Sequence, residues 1–340
     1  MSLTVRAPGK LFLIGEYAVL DGCPGAVAAV DRFATVTLKH HERRNTVQIS
    51  APEINAVGNY SIKSLPPVSG LLRFPLAALH ALHPSRRAAL EEGVALVISS
   101  DLGGSDGSKP GLGSSAAVTV AVAAALLSFA GVDIDSAEGR NEVFATAWRA
   151  HRDAQGGIGS GADVAASVFG GVISLTACDG GRPKVEKLEF PSAVTLLVAS
   201  SGRGASTLDL VARYRSLHNG HDVARSNFVR ACTENVERFI VDLHQPTVVL
   251  EALRVAHRQL LGLAEATGLD LFTPELLQAI DIADFHGAAA KLSGAGGGDC
   301  AIACTTDGDS AQRIRSAWRA AGLEPLPLNI HTEGVALATR

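Results

Sequence analysis

The most informative segment of this 340-residue chain is Lys109-Pro110-Gly111-Leu112-Gly113-Ser114-Ser115-Ala116-Ala117, which opens the apolar run 114–130. Its two glycines permit a tight turn and let backbone amides come close to a ligand. The apolar run predicts a buried helix, and the two serines fall in its first turn. There, unpaired N–H groups and the helix dipole favour an anion. The segment therefore predicts a phosphate-binding turn, with a well-capped helix after a tight turn as the alternative interpretation.

Two better-known nucleotide-binding patterns do not account for this segment. The chain contains no G-x-x-x-x-G-K-[ST], which excludes a Walker-type P-loop. A Rossmann fingerprint needs a strand that runs directly into its glycines. Here the predicted strand 94–98 is separated from Gly111 by a long polar loop, 101–110. The pattern is therefore that of a different phosphate-binding fold.

Two further glycine-rich loops follow in the chain. The loop 156–161 precedes Asp163, which falls near a helix N-terminus, where the dipole favours an ionised carboxylate. Such a carboxylate can accept or position an acceptor's proton, although a helix cap is the commoner role of a lone Asp. The loop 293–299 has four glycines in five positions directly before the apolar strand 301–303. Three such loops in one chain predict a shared ligand site.

Two short motifs mimic other enzyme classes. His151-Arg152-Asp153 matches the protein-kinase catalytic triplet, but Ile158 stands where Asn is required and no D-F-G follows. We interpret the triplet as the C-terminus of a helix. The segment 103–107 matches G-x-S-x-G, yet Lys109-Pro110 follows it in place of a helix, which argues against a hydrolase.

Composition limits the classes of partner and the fold class. The formal net charge is −4, and we expect neither nucleic acid nor an anionic membrane as a partner. The N-terminus lacks a basic, then apolar, signal pattern, and the run 116–127 is too short to cross a bilayer. Five scattered cysteines suggest reduced thiols and a cytoplasmic protein. Strands and helices alternate without a regular βαβ rhythm, which favours α+β, with a candidate domain junction at the turn 179–181.

The three loops, in this order, resemble the GHMP kinases, a family that includes galacto-, homoserine, mevalonate and phosphomevalonate kinases. The segments 7–20, 110–117 and 293–299 are similar to the family's first, second and third motifs. The resemblance implies a two-domain α+β fold with ATP and substrate in the cleft between the domains. Residues 1–185 would resemble the second domain of ribosomal protein S5, and residues 186–340 would be ferredoxin-like.

Within the family, the resemblance favours the kinases whose acceptor is (R)-5-phosphomevalonate and whose product is 5-diphosphomevalonate. Tyr17 follows Gly-Glu, Lys109 stands two residues before Gly111, and the third motif ends in Gly-Asp-Cys. Asp163 ends the sequence Gly-Ser-Gly-Ala-Asp, in place of the P-S-G-x-D typical of mevalonate kinases. The segment 202–210 resembles a substrate-side A-S-T segment. Two departures are Pro110, which replaces an aromatic residue, and the lack of a Glu in 144–155 that would supply a second magnesium ligand. The alternatives are a mevalonate kinase, another small-metabolite kinase of the family, or a catalytically silent ligand sensor.

The resemblance also implies the roles of individual residues. Asp163 would orient or deprotonate the acceptor, Lys10 would stabilise charge beside it, and Ser115 would bind Mg²⁺. The residues implied to bind ATP are Lys109, Pro110, Gly111, Leu112, Gly113, Ser114, Ser115 and Ala116. Those implied to bind the substrate are Glu16, Tyr17, Ser160, Gly161, Ser206, Ser293, Gly294, Ala295 and Gly296. We expect ATP and Mg²⁺ as cofactors, a small-molecule substrate, and a monomer or homodimer.

Overall fold

The structure, a computed structural model, describes residues 2–103, 110–178, 181–217 and 222–338. Within these residues the chain forms two β-sheets covered by helices. One sheet contains a single parallel pair, the other is antiparallel throughout, and the helices follow no βαβ repeat, so the predicted α+β class is confirmed.

The first sheet runs in the order β12-β1-β2-β5-β3-β4, and β6 pairs with both β2 and β7. Its strands are β1 (Ser2–Ile14), β2 (Gly25–His40), β3 (Thr46–Ala51), β4 (Ala56–Ser61), β5 (Val94–Ser100), β6 (Val172–Thr176), β7 (Lys184–Leu188) and β12 (Ala336–Leu337). All neighbours are antiparallel except β3 and β5. The register of β1 on β2 shifts between Pro8 and Gly9 and again between Phe12 and Ile14.

Five helices lie with this sheet: α1 (Arg73–Ala81), α2 (Pro84–Ala88), α3 (Ser114–Phe129), α4 (Ala137–Ala154) and α5 (Ala162–Phe169). Helix α3 contacts β1 and β2 and is flanked by α1, α4 and α5. Every residue from Thr119 to Leu127 is buried, as expected for a helix that is apolar on all faces. The predicted buried helix after Gly113 is therefore confirmed, and its first turn is held against β1.

The second sheet has the order β11-β8-β10-β9 and is antiparallel throughout. Its strands are β8 (Thr195–Ser200), β9 (Ala289–Ser293), β10 (Cys300–Thr305) and β11 (Glu324–Leu326). The helices around it are α6 (Thr207–Arg215), α7 (Asp222–Asp242), α8 (Pro246–Thr267), α9 (Pro274–Phe285) and α10 (Gly308–Ala320). Strand β10 is buried along its whole length. The third glycine loop is thus a hairpin connection between two buried strands, which limits its movement.

The two sheets share one hydrophobic core and are joined by polar contacts next to the glycine loops. The Ser293 hydroxyl accepts a hydrogen bond from Phe12 N (2.9 Å) and donates one to Phe12 O (3.0 Å). The Cys300 thiol donates to Pro110 O at 2.7 Å. Strand β7 of the first sheet spans residue 185, and β12 returns to that sheet from the far end of the chain. The division into residues 1–185 and 186–340 stays a prediction.

Among the described residues, no helix combines the length and apolar character needed to cross a bilayer.

Candidate active site

The first glycine loop, described over residues 110–113, turns directly into helix α3. Gly111 and Gly113 have φ angles of 71° and 75°, in the left-handed region that glycine adopts without strain. The first intrahelical hydrogen bond runs from Ala117 N to Gly113 O, so the amides of residues 114–116 precede it. These amides and the half-buried hydroxyls of Ser114 and Ser115 are groups that could hold phosphate oxygens. Lys109, predicted to contact ATP, lies outside the described residues.

The first and third glycine loops touch at Gly111. A Cβ on Gly111 would lie 2.6 Å from the Cβ, Cγ and Oδ2 atoms of Asp299, closer than side chains pack. Asp299 has φ 60°, and its Oδ1 accepts a hydrogen bond from Ala205 N at 3.1 Å. Burial raises the pKa of the Asp299 carboxyl, and the Ala205 amide and the Lys10 charge oppose this shift. Only a glycine at position 111 therefore allows the first glycine loop to pack directly against this carboxyl.

We expect Gly111→Ala to weaken binding of an ATP analogue by about tenfold or more. The substitution combines left-handed backbone strain with a steric clash, each of order 1 kcal/mol or more, and 1.4 kcal/mol corresponds to a factor of ten. Calorimetric titration measures the dissociation constant. Gly131→Ala is the matched control, because Gly131 has φ 83° and open space around its Cβ position. Equal affinities for the two variants would contradict the assigned contact.

Lys10 lies between the first and third glycine loops. Its Nζ donates to Gly111 O at 3.0 Å, and its backbone N donates to Leu112 O at 2.9 Å. A Cβ on Gly113 would lie 3.0 Å from Lys10 Cγ, and a Cβ on Gly294 would lie 3.8 Å from its Nζ. The ammonium group is therefore held where the first and third glycine loops meet, suitably placed to balance negative charge there.

Asp163 lies in the first turn of α5. This helix directly follows Gly161, which has φ 79°. Its Oδ1 accepts a hydrogen bond from Val164 N at 2.9 Å, and a quarter of its side chain is exposed. The Cβ on Gly113 that would lie 3.0 Å from Lys10 Cγ would also lie 3.7 Å from Asp163 Cβ. The structure therefore brings Lys10 and Asp163, both predicted catalytic residues, to the same point of the phosphate loop.

His151 joins this group, although the sequence indicated only a helix C-terminus there. Its Nε2 lies 3.1 Å from Ser115 Oγ and 3.7 Å from Asp163 Oδ2, and the side chain is 4% exposed. Ser115 and Asp163 are 36 and 12 residues away along the chain, so no local spacing rule connects them to His151. The one usable signal was a histidine five residues before the loop 156–161.

Glu16 and Tyr17 lie beneath the third loop. Lys291 Nζ donates a hydrogen bond to Glu16 Oε1 in an ion pair whose two side chains are 0% and 2% exposed. The Tyr17 hydroxyl donates to Ala295 O. Burial lowers the pKa of Lys291, and the Glu16 carboxylate opposes that shift. Tyr17 thus contacts the backbone of the third glycine loop directly, and Glu16 Oε1 also accepts a long hydrogen bond from Gly294 N at 3.5 Å.

The other predicted substrate residues lie around the same loops. Gly294 and Gly296 have φ angles of 91° and 74°. Ser160 Oγ accepts a hydrogen bond from Ala162 N at 3.3 Å, and the exposed Ser206 caps α6. The Ser293 hydroxyl is engaged by the backbone of Phe12, so a contact with substrate would come from its main chain. Their roles in binding substrate stay predictions.

Two side-chain oxygen atoms next to the first glycine loop suit magnesium. Mg²⁺ prefers oxygen ligands and is usually held by one or two carboxylates together with substrate phosphates. Ser115 Oγ and Asp163 Oδ2 both face His151 Nε2 and are the corresponding oxygen donors here. In the described part of the chain no cluster of three or more His, Cys, Asp or Glu side chains could hold a metal alone. The donor set therefore fits an ion that needs the nucleotide to complete its coordination.

Comparison with known proteins identifies similar families and relatives. The family model described as GHMP kinases N terminal domain matches residues 73–171, and that described as GHMP kinases C terminal matches residues 239–323. A phosphomevalonate kinase of Streptomyces sp. (strain CL190) is 34% identical, covering 97% of each chain. A mevalonate kinase of Pyrococcus furiosus is 27% identical, covering 99% of this chain and 98% of the relative.

The same fold is found in a solved structure. Streptococcus pneumoniae phosphomevalonate kinase, in complex with phosphomevalonate and AMPPNP, superposes with a TM-score of 0.79 at 22% identity. The match covers 96% of this chain and 99% of that one. The predicted two-part α+β architecture is thus confirmed over nearly the whole chain.

Proposed function

Because the chain belongs to the GHMP kinase family and is a kinase, we propose that it transfers the γ-phosphate of ATP to (R)-5-phosphomevalonate. The product is 5-diphosphomevalonate, an intermediate of the mevalonate route to isoprenoids. The acceptor is assigned from the Streptomyces phosphomevalonate kinase, which is 34% identical to this chain over 97% of its length. A mevalonate kinase, at 27% identity, supports the alternative acceptor less strongly.

One observation carries the kinase chemistry: Lys10, Asp163 and the start of α3 meet at Gly113. The amides of residues 114–116 bind the nucleotide phosphates and orient the γ-phosphate. The Lys10 ammonium, anchored on Gly111 O, lies where charge develops during transfer. Phosphoryl transfer depends mainly on such positioning and electrostatic stabilisation.

Asp163 positions the acceptor. A phosphate monoester has a second pKa of roughly 6 and is largely ionised at neutral pH, so it needs little help in losing a proton. The carboxylate at the first turn of α5 therefore acts first by orienting the attacking group. Mg²⁺, when bound, would neutralise charge on the nucleotide phosphates. We assign Ser115 Oγ as its protein ligand.

ADP release by the purified protein, with Mg²⁺ and ATP, tests the acceptor. Mevalonate 5-phosphate and mevalonate are offered in parallel reactions. We expect turnover with the phosphate ester alone, and a diphosphate product. Turnover with mevalonate alone would contradict the proposed acceptor and favour the alternative. ATP binding without turnover for either compound would favour the ligand-sensor hypothesis.

We further propose that the protein acts in the cytoplasm as a monomer or homodimer. All five cysteines are free thiols, and four of them are buried, as is usual in a reducing compartment. Size-exclusion chromatography with light scattering measures the oligomeric state directly.

A further inference from the structure

His151 is held rigidly next to the proposed site. It lies in the last turn of α4, and its ring stacks on Phe74 of α1 with centroids 5.4 Å apart and planes inclined by 23°. The side chain is 4% exposed. Packing between two helices therefore fixes the plane of the imidazole, and with it the direction in which Nε2 points.

That nitrogen faces two residues of the site at once. Ser115 Oγ is 3.1 Å away, within hydrogen-bonding distance. Asp163 Oδ2 is 3.7 Å away, beyond that distance. Among the described residues, His151 is the side chain that hydrogen-bonds to the Ser115 hydroxyl. Both Ser115 and Asp163 approach the same ring nitrogen, unlike a hydrolase triad, in which serine and acid bind opposite nitrogens.

The direction of this hydrogen bond matters for cation binding. A serine hydroxyl has one proton and two acceptor lone pairs. If Ser115 donates its proton to Nε2, both lone pairs remain available and point away from the imidazole. If Nε2 carried the proton instead, its N–H would donate to the serine oxygen and occupy one of those lone pairs. A hydroxyl that ligates a metal is therefore best oriented by a neighbour that accepts from it.

We propose that His151 is a positioning residue for the metal–nucleotide complex. His151 Nε2 accepts a hydrogen bond from the Ser115 hydroxyl, so that the Ser115 oxygen presents its lone pairs to Mg²⁺ at the first glycine loop. This inference rests on the proposed function, and specifically on Ser115 as the metal ligand. It assigns a role to a residue that does not itself contact metal or nucleotide.

The test measures metal-dependent nucleotide affinity without turnover. Calorimetry gives the dissociation constant of a non-hydrolysable ATP analogue with saturating Mg²⁺ and again with EDTA. The dissociation constant in EDTA divided by the constant in Mg²⁺ is the ratio that reports the metal's contribution. We expect His151→Phe to lower this ratio about 10- to 100-fold, the usual cost of removing a group that orients a metal ligand. His151→Phe keeps an aromatic ring against Phe74 but removes the acceptor.

The conservative variant His151→Gln restores an acceptor at similar reach, and we expect it to recover most of the ratio. A purely structural role would instead make the aromatic variant the better tolerated of the two. If the phenylalanine variant does not fold, as judged by thermal unfolding, His151→Asn replaces it, because its amide is too short to reach Ser115.

Ser115→Ala separates failure of this inference from failure of the proposed function. We expect it to lower the ratio, and the double variant with His151→Phe to lower it no further. An unchanged ratio in His151→Phe, together with a lowered ratio in Ser115→Ala, overturns the inference alone. An unchanged ratio in Ser115→Ala overturns the metal-ligand role of Ser115 and the inference with it. The kinase assignment is judged independently, by the acceptor assay.

Discussion

Asp163→Asn is expected to lower kcat by about 10²–10⁴-fold, the range for groups that move or orient a proton in catalysis. Asp163 Oδ1 is held by Val164 N, and the carboxylate lies beside Gly113 and near Lys10. Asparagine keeps the shape of this side chain and removes its charge. Since the proposed acceptor is already ionised, we expect the result to fall in the lower part of the range.

Steady-state kinetics with mevalonate 5-phosphate measures the effect of Asp163→Asn. The matched control is Asp153→Asn, since Asp153 is exposed in the last turn of α4, two residues from His151. We expect the control to keep a normal rate. A near-normal kcat for a correctly folded Asp163→Asn protein would remove Asp163 from the mechanism.

Lys291→Met should produce the largest loss of stability. The ammonium is fully buried and pairs with Glu16, whose second oxygen, Oε2, is buried without a hydrogen-bond partner in the described part of the chain. Removing one member of a buried ion pair leaves the other charge uncompensated, at a cost of about 3–5 kcal/mol. Urea-induced unfolding measures the change in the free energy of unfolding.

Two comparisons isolate the cause of this loss. The double variant Lys291→Met/Glu16→Gln removes both charges, and we expect it to be more stable than Lys291→Met alone. Lys184→Met breaks an ion pair with Glu186 in which the side chains are 71% and 55% exposed. We expect no measurable change there, because solvent screens the pair. If the single and double variants proved equally stable, the charge left on Glu16 could not be the cause.

Several features of the site were predictable from local sequence. The phosphate loop and the helix that begins at Ser114 follow from two glycines ahead of a continuous apolar run. Asp163 was expected near a helix N-terminus and lies in the first turn of α5. In the sequence, Asp135 with Glu138 resembles a capping box for α4, but the cap lies one residue later. Ser136 is the cap, with its Oγ accepting from Gly139 N at 3.0 Å.

Other features depend on contacts between distant segments. His151 became a site residue because α4 packs against α3 and α5, which places its ring beside Ser115 and Asp163. Asp299 was seen only as the end of a motif, yet its side chain supports Gly111, 188 residues earlier in the chain, and binds Ala205 N. Neither relation has a periodicity or a spacing that a single sequence could reveal.

Short-range sequence patterns determined the first glycine loop, the buried helix after it and the α+β class, because turns, caps and apolar runs act over a few residues. The tertiary structure alone decided which polar groups meet. Lys291 pairs with Glu16 across 275 positions, and Ser293 bonds to the backbone of Phe12 across 281. Such pairs form only when the two sheets enclose one core, since burial makes an unpaired polar group costly and so selects its partner.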